Sequence, residues 1–196
     1  MRTFMALVLA SIFYLSATNG YSAEDLYNSQ DLELQYAERP ETFVVFGDSL
    51  TSPDNSWAEQ IDDMGLAQMK NHAQAGLRLI DLDIPDYLNC GRQKVIIWIG
   101  TNDAGNLIPT YQFKQELKDR LYFLKSRNCE VYIGLPIQLD VAAGWPKTGA
   151  YRTLVRGVSK NFKNVTIFDV PYDQSKTADG LHPTIQHQAE IAEFMI

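Results

Sequence analysis

The chain has 196 residues, of which 45% are hydrophobic and 21% charged, a balance suited to one globular domain with a sizeable core. Its formal net charge of −7 repels phosphate backbones and anionic lipid surfaces, so nucleic acid is not expected as a partner. Three histidines and two cysteines are too scattered to show metal-ligand spacing.

Residues 1–23 read as a secretory signal. Arg2 is their only charge, Phe4 to Ala17 are almost wholly apolar, and Thr18 to Ala23 turn small and polar. Cleavage after Gly20, Ser22 or Ala23 leaves no stable membrane span and places the mature protein outside the cell or in a periplasm. The alternative is an uncleaved anchor, because the uncharged stretch from Thr3 to Ala23 is just long enough to cross a bilayer. Residues 24–40 form a polar lead-in without a steady period. Residues 41–196 carry everything that follows.

Phe43 to Phe46 form an apolar run with two β-branched members, suited to a parallel strand buried on both faces. Gly47 ends it and lets the backbone turn. Asp48 and Ser49 then fall just past the carboxyl end of the strand, where open α/β sheets bind their ligands. Ser49 is a candidate nucleophile there, or else the cap of the following helix. Trp57, Ile61 and Met64 recur at helical spacing, and Gly65 sits where that helix stops. Met69 to Ala73 read as a short second strand followed by Gly76. Leu77, Ile80, Ile84 and Leu88 suggest a short helix that Pro85 breaks or kinks.

Val95 to Ile99 are the next buried strand, with the polar turn Gly100-Thr101-Asn102-Asp103 at its carboxyl end. Phe113, Leu117, Leu121 and Leu124 line one face of a long helix closed by Arg127 and Asn128, and Val131 to Leu135 form the fourth strand. Pro136 to Gly149 have no period and read as a surface loop. Its Ile137, Leu139 and Trp145 are candidates for the wall of a binding site, with Trp145 alternatively a packed anchor. Tyr151, Leu154, Val155, Val158 and Phe162 mark another helix, Val165 to Val170 a fifth strand, and Ile185 to Met195 a final helix. Strands alternating with helices predict an α/β domain with a parallel sheet covered on both faces. Cys90 and Cys129 precede neighbouring strands at the amino edge, so they are either a disulfide or two buried thiols.

Asp179-Gly180-Leu181-His182-Pro183 follow the last strand. Pro183 suits the first helical position, which places His182 near the cap. Asp179 is spaced to bond Nδ1 of His182, fix its tautomer and leave Nε2 facing Ser49. The plainer alternative is a solvated loop pair. Donors for a developing oxyanion would come from the Gly76 N–H and the Asn102 amide, unless these are turn residues and nothing more. Asp48 is expected to brace the turn through backbone hydrogen bonds, and His187 to face solvent.

Four blocks, in order, resemble those of the SGNH hydrolases, or GDSL-type esterases and lipases: Gly47-Asp48-Ser49-Leu50, Gly76 within Asn71-His72-Ala73-Gln74-Ala75-Gly76, Gly100-Thr101-Asn102-Asp103, and Asp179-Gly180-Leu181-His182-Pro183. The resemblance implies a three-layer, flavodoxin-like α/β/α sandwich with a five-stranded parallel sheet and no cofactor. It implies ester or thioester hydrolysis through an acyl-serine, with Ser49, His182 and Asp179 as the triad and an oxyanion hole from Ser49, Gly76 and Asn102. The expected partner is a small-molecule acyl ester. Within the same chemistry, the chain could be an O-acyltransferase or a carbohydrate acetylesterase. From another class, a flavodoxin-like protein would use Ser49, Thr51 and Ser52 to cradle a phosphate or flavin.

Overall fold

In the computed structural model, residues 41–52, 54–139 and 147–196 are described. The leader, the polar lead-in and Trp145 lie outside the described residues. Five strands and five helices follow in chain order as β1 (Thr42–Gly47), α1 (Trp57–Asp63), β2 (Gln68–Asn71), β3 (Gln93–Trp98), α2 (Thr101–Gly105), α3 (Thr110–Ser126), β4 (Val131–Gly134), α4 (Gly149–Ser159), β5 (Val165–Phe168) and α5 (Ile185–Met195).

All four strand pairings are parallel, and the sheet order is β2-β1-β3-β4-β5. The apolar runs are continuous because the sheet is covered on both faces, yet their side chains still alternate. Val44 and Phe46 of β1, with Val95 and Ile97 of β3, join one core beneath α3 and α4. Val45, Ile96 and Trp98 join the other, against Trp57 of α1 and Ile191 of α5. The four leucines and phenylalanines at helical spacing on α3 are all buried, as their period predicts.

The run from Leu77 to Leu88 differs from its expected helix. Only Leu79–Asp81 form a single 3-10 turn, and the rest is irregular, with Leu79, Leu82, Ile84 and Leu88 buried. Those side chains sit at uneven spacing, and Pro85 supplies no N–H to continue a helical ladder. The final helix keeps its expected bounds but starts later than Pro183 suggested. Thr184 is the cap, its Oγ1 accepting from His187 N–H, so His182 lies two residues before the cap.

Cys90 and Cys129 form a disulfide with Cα atoms 4.6 Å apart, joining the approaches to β3 and β4 at the amino edge of the sheet. The half-cystines are 39 residues apart, and closing such a loop removes about 4 kcal/mol of unfolded-state entropy in the chain-entropy model. Replacing both by serine is expected to lower unfolding stability by about that amount, read by urea denaturation. An unchanged midpoint would show that the bond constrains little.

Candidate active site

Consecutive strands β1 and β2 lie side by side, and β3 then pairs with the other edge of β1. That reversal opens a crevice at the carboxyl ends of β1 and β3, the place where such sheets admit ligands. Ser49 leaves β1 and Asn102 leaves β3 at this point. Gly47 is needed because the turn closes tightly: a Cβ there would lie 2.6 Å from Thr51 Cβ. Thr51 N–H donates to Asp48 C=O at 3.0 Å, and Leu50 N–H donates to Asp48 Oδ1 at 3.0 Å. Asp48 therefore braces the turn as expected. Ser49 does not cap α1; that cap is Ser56, whose Oγ accepts from Glu59 N–H. Freed from capping, the half-buried Ser49 hydroxyl meets His182 Nε2 at 3.0 Å.

The histidine is presented by a pinned loop. Thr177 and Pro183 bridge antiparallel, and Ala178 N–H donates to His182 C=O at 2.8 Å. Inside that loop Asp179 Oδ1 accepts from the N–H groups of Leu181 and His182, while Oδ2 lies 2.7 Å from His182 Nδ1. The His182 N–H, followed by the imidazole and the Leu181 N–H, holds the Asp179 carboxyl far below the usual carboxylate range. An ionised Asp179 can only accept, so Nδ1 carries the ring proton and Nε2 is left to accept from Ser49. Tyr172 O–H donates to Leu181 C=O, and Gln174 Nε2 donates to Gly180 C=O at 2.6 Å, which ties the loop to the end of β5.

The two expected oxyanion donors sit in adjacent segments. Gly76 is exposed with φ +77°, a left-handed conformation that a Cβ disfavours. Asn102 is half-buried at the first turn of α2, and its Nδ2 donates to Leu77 C=O at 3.3 Å. Asp103, fully buried behind it, accepts the Leu79 N–H on both carboxylate oxygens. This anchors the segment that follows Gly76 to the segment that carries Asn102.

Several residues escaped the sequence reading. Asn71 donates to Thr51 C=O at 2.8 Å and accepts from Ala73 N–H, linking the β2 turn to the serine turn. Gln188, buried on α5, reaches the serine loop. Both sit among other polar residues in sequence, so nothing local singles them out; their partners come from distant segments. His187 contradicts its expected exposure. It is 1% exposed, packs 5.0 Å from the Tyr172 ring, and accepts from Asp173 N–H through Nε2, because α5 turns positions 187, 188, 191 and 192 inward. Ile137 and Leu139 are also buried, with Val45, Leu50 and Trp57, because the chain leaving β4 folds back over the sheet instead of looping outward. Leu139 still edges a groove of about 530 Å³ that Gln138, Arg152, Asp169 and Tyr172 line.

Burial treats Asp48 in the opposite way to Asp179. Desolvation, only partly offset by the Leu50 N–H, pushes the Asp48 carboxyl from 3.8 up to about 7. Oδ2 is buried with no hydrogen-bond partner among the described residues. Below about pH 4 folded and unfolded chains both hold this proton. Between there and about 7 the unfolded chain releases it first, so native stability falls as pH rises. Asp48→Asn is therefore expected to match the native protein at pH 4 and exceed it at pH 8. The gain is bounded by about 1.4 kcal/mol for each pH unit between the two values, as measured by chemical denaturation. Equal stabilities at both pH values would show that the carboxyl titrates normally.

No family model and no curated protein matches the chain. Solved structures do. A protein from Desulfitobacterium hafniense assigned to the G-D-S-L lipolytic family superposes with a TM-score of 0.65 and 21% identity, over 79% of this chain and 98% of that one. A lipase/acylhydrolase from Enterococcus faecalis gives 0.62 and 21%, over 79% and 93%. An acetyl xylan esterase gives 0.64 and 17%, over 78% and 97%. The five-stranded parallel sheet and its flanking helices are the fold that the four sequence blocks resemble, and the chain has the SGNH hydrolase fold.

Proposed function

We propose that the protein is a serine esterase that cleaves ester, or thioester, bonds of small or short-chain acyl substrates through an acyl-Ser49 intermediate. One observation carries this reading: a continuous hydrogen-bonded line runs from Asp179 through His182 to Ser49, with steps of 2.7 and 3.0 Å. Ser49 Oγ attacks the carbonyl carbon as its proton passes to His182 Nε2. The oxyanion is received by the N–H groups of Ser49 and Gly76 and by the Asn102 amide. That amide has two N–H donors and spends one on Leu77, which supports the assignment. His182 then returns its proton to the departing alcohol. Water, deprotonated by the same nitrogen, releases the acid and restores Ser49.

The named activities of proteins sharing the fold, lipase/acylhydrolase and acetyl xylan esterase, support acyl chemistry at this site. A second reading, a carbohydrate acetylesterase or an O-acyltransferase with the same residues, is favoured by the groove beside the histidine loop. Its Gln138, Arg152, Asp169 and Tyr172 suit a polar alcohol better than a fatty chain. The phosphate-cradle alternative is disfavoured, because Thr51 is fully buried and accepts from Trp57 Nε1 while Ser52 donates to Ser49 C=O. Export through the leader fits the Cys90–Cys129 bond, since disulfides persist in oxidising compartments. No described helix is long and apolar enough to cross a membrane.

The test is hydrolysis of p-nitrophenyl esters from acetyl to long fatty acyl. Ser49→Ala is expected to abolish turnover and Asp179→Asn to lower kcat by about three to four orders of magnitude. Asn102→Ala is expected to lower it by about 10² to 10³. Turnover that survives intact in Ser49→Ala would assign the activity elsewhere.

A further inference from the structure

The nucleophile and its base are carried by segments that share no strand pairing. Ser49 sits in the loop between β1 and α1, and His182 sits in the loop before α5. Their 3.0 Å contact therefore depends on whatever holds that loop against that helix. One side chain does so directly. Gln188 lies six residues beyond His182, and its own N–H donates to the C=O of the α5 cap, Thr184, at 2.9 Å. Its side-chain Oε1 accepts from Trp57 N–H at 3.0 Å, and its Nε2 donates to Leu50 C=O at 3.1 Å.

Leu50 is the residue after Ser49, and Trp57 is the first residue of α1. A single planar amide thus grips the serine loop at both ends. Each partner needs it. Trp57 N–H belongs to the first turn of a helix and has no intrahelical acceptor, and Leu50 is buried away from water. The chemistry requires glutamine: one acceptor and one donor on a single rigid group. Met could fill the volume but make neither bond, and Glu could make only the first while ionised.

We propose that Gln188 is a positioning residue for the esterase site, coupling the serine loop to the histidine helix so that Ser49 Oγ and His182 Nε2 keep hydrogen-bonding distance. The inference rests on the hydrolytic reading of the previous subsection. It gives Gln188 no contact with substrate. Other ties join the same elements, among them Gln60 Nε2 to Ile185 C=O at 3.5 Å and the packing of Trp57 with Ile191, but the Gln188 amide is the buried one that bonds the residue next to Ser49.

The experiment compares the native protein with Gln188→Met, Gln188→Glu, Ser49→Ala and a control, Ile191→Val, which trims a buried side chain on the same helix without touching either hydrogen bond. Kinetics on p-nitrophenyl acetate are paired with thermal melting and crystal structures. In Gln188→Met, kcat is expected to fall by about 10²-fold with KM nearly unchanged, and the Ser49 to His182 distance to lengthen beyond about 3.5 Å, as small misplacements at such centres have that effect. Gln188→Glu, which keeps the Trp57 bond, is expected to fall between. Ile191→Val lowers the melting temperature but leaves kcat within about twofold, separating positioning from mere stability.

A folded Gln188→Met protein that keeps native kcat and the 3.0 Å contact overturns the proposal and leaves the esterase reading standing. If the native protein and Ser49→Ala are equally inert on all esters, the esterase reading fails instead, and the crystallographic distance alone decides whether Gln188 positions the pair. Should Gln188→Met not fold, Gln188→Glu is judged by the same two measurements.

Discussion

The contact between Ser49 and His182 joins residues 133 apart in the chain, and the arrangement of the site depends on it. Neither residue is brought there by local structure. The sheet order sets the approach by placing β1 and β3 side by side inside the sheet, with the loop after β5 leaving from the same carboxyl edge. Short-range chemistry sets the final distance. Gly47 allows a turn that no side chain would fit, Asp179 fixes the ring, and the Tyr172 hydroxyl and Gln174 amide hold the loop that carries it.

Three aspartates show how the surroundings of a carboxyl decide its task. Asp179 lies in the open, accepts two backbone N–H groups and an imidazole, and stays ionised. Asp48 accepts one backbone N–H on one oxygen and, among the described residues, nothing on the other, so burial dominates and the neutral acid is favoured. Asp103 falls between, pushed up to about 6 by desolvation while the Leu79 N–H opposes. Only the first can orient an imidazole by charge. The other two act through shape and hydrogen bonding, and the charge they could bear is a cost to the fold at high pH.

Much of this was legible in the residues. β-branched apolar runs gave the strands, the 3.6-residue period of Phe113, Leu117, Leu121 and Leu124 gave α3, and a polar turn after each central strand gave the crevice. The failures share a physical cause: they concern which way a polar or apolar side chain faces once distant elements pack. His187 shares the inner face of α5 with Ile191 and Ala192, and Tyr172, from outside the helix, packs against its ring. Ile137 and Leu139 lacked a strand or helix pattern, yet their chain folds back onto the sheet. Gln188 and Asn71 read as ordinary polar residues until their partners, far off in sequence, are in place. Leu77 to Leu88 had the spacing of a helix, but Pro85 and tertiary burial outweighed it.

The two edges of the sheet are held by different means. At the amino edge a covalent bond staples the approaches to β3 and β4. At the carboxyl edge, among the described residues, the loops that carry Ser49, Asn102 and His182 are held by hydrogen bonds and packing alone. Local opening draws on the least secured elements first. On warming, the protein should thus pass through a state in which the sheet persists while Ser49 and His182 have drifted apart, so that loss of this contact marks the fraying of one edge and not the collapse of the domain.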